Sequence, residues 1–190
     1  MFLRSMCPNQ CYFGVPSGRN VMKSMVIVIA FGLLVSIENT YAGQSSSVVA
    51  SHSKTSIVST SGDINVLVEI RTHEVYIGKA SDPRPTIFHS SCTYSKIPCS
   101  VVDELTIMVG KTPLVVPRSA FCDLADLNNA EIDITASKSV LTLYGGDASE
   151  SYIAKIEFNA EEVVRRSLTS AIEPSQPLEE TTYHSVVVGD

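Results

Sequence analysis

The sequence is short of the spacings that announce common chemistries. Its 190 residues contain no Gly-x-Ser-x-Gly elbow, no phosphate-cradling glycine loop, no dinucleotide fingerprint and no Cys-x-x-Cys pair. Each of those motifs fixes a nucleophile, a phosphate or a redox sulfur on a particular turn, so none of that chemistry is signalled. The four histidines, His52, His73, His89 and His184, are scattered, without a His-x-His or His-x-x-x-His pair. Zinc needs three or four converging ligands, so no metal and no other cofactor is expected. A long helical period and an internal repeat are missing as well, which argues against a helical or repetitive architecture.

Positive charge is also scarce. From Gly43 onward 11 Lys and Arg face 19 Asp and Glu, a net charge of −8. That balance repels phosphates and anionic membrane surfaces, so no nucleic-acid partner is expected. The apolar run at 25–37 falls short of the roughly 20 residues a spanning helix needs. It begins just after Lys23 and is followed by Thr40-Tyr41-Ala42, the pattern of a secretory signal peptide cleaved between Ala42 and Gly43. Residues 1–42 are therefore expected to be removed on export, leaving no stable membrane span, with a retained anchor as the alternative. Translation is expected to start at Met22, which gives the signal peptide a short basic start. Cys7 and Cys11 then lie ahead of the start and need no metal.

Three cysteines remain beyond that point: Cys92, Cys99 and Cys122. Residues 92–99 form a polar, Pro-containing segment, and a disulfide between Cys92 and Cys99 would close it into a ring in an oxidising compartment. The ring is worth about 2 kcal/mol by loop closure. Pairing of Cys122 with Cys92 or Cys99 stays open; otherwise Cys122 packs as a small apolar side chain.

What is present in quantity is strand pattern. Residues 43–62 are Ser- and Thr-rich with little apolar period and are expected to be a flexible leader. From residue 63 to 190 a single β domain is expected. Ile64, Val66, Val68 and Ile70 alternate with polar neighbours, a break falls at Arg71-Thr72, and a second short strand follows around 74–78. Thr86 to His89 reads as a further edge strand after the Pro83 and Pro85 interruption. Residues 101–116 read as a hairpin around Gly110-Lys111, and Ser119 is placed to cap one short helix near 119–127, ended by Asn128-Asn129. Strand alternation returns at 130–135. The clearest hairpin spans 139–158, turning at Gly145-Gly146-Asp147-Ala148-Ser149, where Asp147 or Ser149 is placed to bond a backbone amide. Val163 to Leu168 and a closing strand at 182–188 complete a C-terminal meander. The fold class expected is mainly β, an antiparallel sheet or sandwich built from hairpins and that meander, with the one short helix.

The stretches Val116-Pro117-Arg118-Ser119-Ala120-Phe121-Cys122-Asp123-Leu124-Ala125-Asp126, Gly145-Gly146-Asp147-Ala148-Ser149-Glu150-Ser151-Tyr152 and Glu180-Thr181-Thr182-Tyr183 resemble a group of small exported proteobacterial proteins of unassigned function. The resemblance covers residues 101–190. It implies a Gram-negative, periplasmic setting and nothing about mechanism.

Several residues invite a functional reading. Gly145, Gly146, Asp147, Ser149 and Tyr152 form a candidate interaction loop, although Asp and Ser are also ordinary turn-formers. Asp123 and Asp126, three apart, read either as an acid and base or as a wet helix face. Ser51-x-x-Lys54 has the spacing of a serine–lysine pair without the helix that such chemistry requires. Of Arg165 and Arg166 on one strand, one must face away from the other. The inward one would meet Glu157, Glu161 or Glu180; the plainer reading is salt bridges along a solvent edge. No catalytic residue is assigned.

The expectation is an exported periplasmic protein that binds another protein or a cell-envelope component and is not an enzyme. One alternative is an immunity or inhibitor protein against a toxin or hydrolase, since an acidic domain associates quickly with a basic target. The other is a hydrolase whose triad the fold assembles around His89 or His184.

Overall fold

A computed structural model describes residues 43–78, 82 and 91–184. The described chain is mostly strand, with no helix of seven or more residues. Two antiparallel sheets share one apolar core.

The larger sheet contains β1 (Gly43–Val48), β6 (Leu127–Ile134), β7 (Ser139–Gly145), β8 (Tyr152–Phe158), β9 (Val163–Ser170) and β10 (Pro177–Thr182), in that order. The smaller contains β2 (Lys54–Ser61), β3 (Ile64–Val75), β4 (Cys99–Val109) and the two-residue β5 (Thr112–Pro113). From β6 onward the larger sheet is a meander in which every strand pairs with the next. Side chains alternate across each strand, so one row per strand turns inward. Val66, Val68, Ile70 and Ile107 of the smaller sheet share the core with Ile132, Leu141, Leu143 and Ile156 of the larger. Each fully buried aliphatic side chain of this kind contributes about 1.5–3 kcal/mol.

The expected flexible leader at 43–62 is two strands. β1 pairs with β6, placing Gly43 opposite Ile134, and β2 pairs with β3 along its whole length. The period was hidden because hydroxyl side chains occupy inward positions: Thr55 and Ser59 flank Ile57 on the buried row of β2. Thr72 ties the connection down, its hydroxyl donating to the Ala50 carbonyl at 2.6 Å.

The expected helix at 119–127 is a correction too. Only Arg118–Ala120 forms a 3₁₀ turn, and Ser119 lies inside it rather than capping it. Ala125 then bridges to Val101 and Val102 donates to the Leu124 carbonyl, so the chain is drawn along β4 before it can coil. Asn128 and Asn129 do not end a helix; they belong to β6. The apolar spacing of Phe121, Leu124 and Leu127 recorded burial, which all three have, and not a helix.

The break at Arg71-Thr72 is a register shift within one strand, and β3 continues to Val75. Asp103, on β4, is the residue left over at that shift. The last strand begins earlier than expected, at Pro177. Residues 1–42, the strand read at 86–89, His89, and 185–188 of the closing strand lie outside the described residues.

Candidate functional site

At one end of the sandwich three segments converge. The first is the ring at 92–99, closed by a disulfide between Cys92 and Cys99, with Cys122 a free, half-buried thiol. The second is the β7–β8 connection, which holds the candidate loop residues. The third is the β9–β10 connection, whose Ala171 amide donates to the Ser151 carbonyl at 2.9 Å.

Asp126 is the anchor beneath the ring. It is wholly buried and sits at a φ of 50°, a left-handed conformation that aspartate tolerates better than most residues. Its Oδ2 accepts from the Thr93 amide at 2.8 Å and its Oδ1 from the Ser100 amide at 2.9 Å. One carboxylate therefore holds the residue next to each half-cystine. Cys92, Cys99 and Asp126 also come together closely enough to hold a metal ion, but with the sulfurs joined to each other the cysteines offer no thiolate.

Tyr152 fixes the candidate loop from below. Its hydroxyl donates to the Ala125 carbonyl at 2.6 Å and accepts from the Ala125 amide at 3.0 Å. Burial pushes the phenol well above its ordinary value of 10.0; the Ala125 hydrogen bond opposes that rise, and the carboxylates of Asp123 and Asp126 add to it. Gly145 lies against this ring, where a methyl group would overlap it. Gly146 has a φ of 75° and backs onto the Glu150 carbonyl, so both glycines are required by shape. Asp147 makes no side-chain cap, contrary to expectation; the turn is held by the Glu150 amide on the Asp147 carbonyl and the Ser151 hydroxyl on the Ala148 carbonyl.

Loop and ring are joined. The Tyr94 amide donates to Glu150 Oε2 at 2.7 Å, the Asn128 side chain to the Gly146 carbonyl at 2.7 Å, and Lys96 Nζ to Asn128 at 3.3 Å. Two open hollows flank the junction. One, of about 470 Å³, is polar and lined by Ser95, Lys96, Asn128, Gly146 and Asp147. The other, of about 320 Å³, has Cys92, Tyr152, Leu168, Leu178 and four serines among its walls. Tyr94 on the ring, Ile172 in the β9–β10 connection and Leu178 at the start of β10 are all more than half exposed.

No family model, curated protein or solved structure matches the chain.

Elsewhere the candidate residues scatter. Asp123 and Asp126 do not form an acid–base pair, nor a wet face: Asp123 turns to Arg166 and Asp126 to the ring. Ser51 and Lys54 are apart in role, Ser51 accepting from the Ser100 hydroxyl and Lys54 pairing with Glu69 at 2.6 Å. His52 and His184 are exposed. His73 lies 2.6 Å from Asp103, the extra residue at the β4 shift, in a contact not aligned as a hydrogen bond.

Arg165 and Arg166 separate as alternation requires. Arg165 faces outward to Glu180 and Glu157. Arg166 is 1% exposed and meets Asp123 Oδ2 at 2.6 Å and Glu179 Oε1 at 2.5 Å, so neither inward partner was among those expected and the plain solvent-edge reading is overturned for it. Burial alone would lower the Arg166 pKa; Asp123 first, then Glu179, more than offset it, and the net shift is upward. Among the described residues no helix is long and apolar enough to cross a membrane.

Proposed function

We propose that the chain is an exported, periplasmic, non-enzymatic protein that binds another protein or a cell-envelope component through the end carrying residues 92–99 and 145–152. The observation that carries this reading is the combination of fixed backbone and exposed apolar side chains at that end. A disulfide, the Asp126 carboxylate and the Tyr152 hydroxyl hold the segments, while Tyr94, Ile172 and Leu178 remain in contact with solvent. Fixing a surface before contact reduces the ordering cost of binding, and large apolar side chains supply its gain. The apolar run at 25–37 ahead of Thr40-Tyr41-Ala42 and the disulfide between Cys92 and Cys99 support the periplasmic setting.

The test is in-cell crosslinking of the full chain, followed by recovery and identification of its conjugates. A single stoichiometric partner lost on combining Tyr94→Ala with Leu178→Asp, in a variant that still melts cooperatively, is the expected result. Recovery of the same partner in undiminished yield from that variant would move the surface elsewhere.

The net charge of −8 from Gly43 onward favours a second reading, an inhibitor or immunity protein for a basic toxin or hydrolase. Association that slows several-fold between low and physiological salt is its expected signature; a salt-independent rate would exclude it.

A further inference from the structure

The larger sheet ends at β10, and no strand among the described residues covers its outer edge. The direction of its backbone groups follows from one bond. The Tyr183 amide donates to the Val164 carbonyl at 2.9 Å, which makes Tyr183 and Val164 a hydrogen-bonded pair. Antiparallel strands alternate such pairs with open ones, so Thr181 and Glu179 turn their amides and carbonyls to β9, while Glu180 and Thr182 turn theirs away from the sheet.

Unpaired edges of this kind are normally blunted by lysine, by proline within the strand or by a covering segment. β10 has no lysine and proline only at its first residue, Pro177; the register shift at Pro177/Glu179 and the inward Glu179, which also guard edges, lie at its start and leave residues 180–182 open. At that first residue a register shift between Pro177 and Glu179 leaves Leu178 without a partner across the ladder, and Leu178 forms part of the 320 Å³ hollow with Leu168 and Tyr152. Edge backbone and side-chain hollow are therefore continuous, the arrangement by which sheets accept an added strand: the ladder supplies affinity and the hollow selects a side chain.

Charge selects the occupant. Glu179 shares Arg166 with Asp123 and Glu180 shares Arg165 with Glu157, so carboxylates outnumber guanidinium groups at this edge, and Glu173 lies just before β10. A second copy would bring the same acidic strand across the seam, where like charges repel. We propose that β10 is the docking edge for a cationic, extended strand of a partner protein, which pairs with Glu180 and Thr182 and places an apolar side chain against Leu178. The proposal rests on the binding reading above and specifies the chemistry of its partner.

The probe is a capped hexapeptide of alternating valine and lysine, with alternating valine and glutamate as control, titrated into the mature chain while backbone amide resonances are followed. Expected are shifts and slowed hydrogen exchange at Glu180 and Thr182, and affinity at least tenfold greater for the lysine peptide. Thr182→Pro removes one outward N–H while leaving the β9 pairs intact, and should weaken binding at least tenfold; Leu178→Asp tests the hollow in the same way. Equal binding to Thr182→Pro, or equal affinity for the two peptides, overturns the proposal. So does concentration-dependent dimerisation of the free chain that Thr182→Pro abolishes, since the occupant is then a second copy. A crosslinked partner retained by Thr182→Pro but lost with Tyr94→Ala and Leu178→Asp removes strand addition and leaves the binding reading standing.

Discussion

Arg166 on β9 and Asp123 in the crossover between the sheets meet at 2.6 Å, with the guanidinium in an inward row opposite Ile156. A cation in an aliphatic row is tolerated only where carboxylates reach it, and here one comes from the crossover and one, Glu179, from the edge strand. The ion cluster therefore ties the crossover, β9 and β10 to one another.

Arg166→Ala is expected to lower stability by about 1–3 kcal/mol, through loss of its charged hydrogen bonds and its packing, since the two carboxylates left behind are partly exposed and can be hydrated. Asp123→Asn should cost more than Glu179→Gln, because the Asp123 side chain is 31% exposed and that of Glu179 is 48% exposed. Urea midpoints report both. Equal midpoints for Arg166→Ala and the parent would show that the cluster contributes nothing.

Tyr152→Phe deletes the hydroxyl that serves both backbone groups of Ala125, at a cost of about 1–3 kcal/mol. The same group makes stability fall in alkali. Its native pKa is raised above the ordinary 10.0, so above that pH the native state holds a proton that the unfolded state releases. The contribution is complete below pH 10.0 and is lost as pH rises from there towards the higher native value. Chemical denaturation across this range should show a steeper decline for the parent than for Tyr152→Phe. Parallel curves would assign alkaline instability to other groups.

Replacing Cys92 and Cys99 together by serine should cost about 2 kcal/mol. Asp126→Asn, which leaves one of the two ring amides without its acceptor, should cost about 1–3 kcal/mol. Because both hold the same ring, their combined effect should depart from the sum of the parts. Strict additivity in a double-mutant cycle would mean that covalent bond and carboxylate act on separate parts of the fold.

Gly146→Ala should destabilise by more than about 1 kcal/mol, since alanine resists a φ of 75° and its methyl group would meet the Glu150 carbonyl. Ser149→Ala, on the exposed side of the same turn, should change stability by less than about 0.5 kcal/mol. A reversed order, read from thermal midpoints, would place the constraint in the polar residues of the turn.

The strands of the meander were legible because Leu141, Leu143, Ile156 and Phe158 occupy alternate positions between turn residues, and a period of two needs no distant information. The Cys92–Cys99 ring was legible for a similar reason: a short polar segment brings its own ends together. β1 and β2 were not, since Thr55 and Ser59 hold inward positions and only their partners on β3 reveal which way they face. The helix expected at 119–127 failed because burial along a crossover produces the same apolar spacing as a helix face.

Alternation within the chain decided that the protein is built from antiparallel strands and that Arg165 and Arg166 face opposite ways. Which of the two turns inward, that Asp123 and Glu179 receive it, and that Asp126 and Tyr152 brace the ring and loop were decided by the fold. Glu179 reaches Arg166 across neighbouring strands of one sheet, whereas Asp123, Asp126 and Tyr152 find partners 26 or more residues away along the chain, which only the closing of the fold brings within bonding distance.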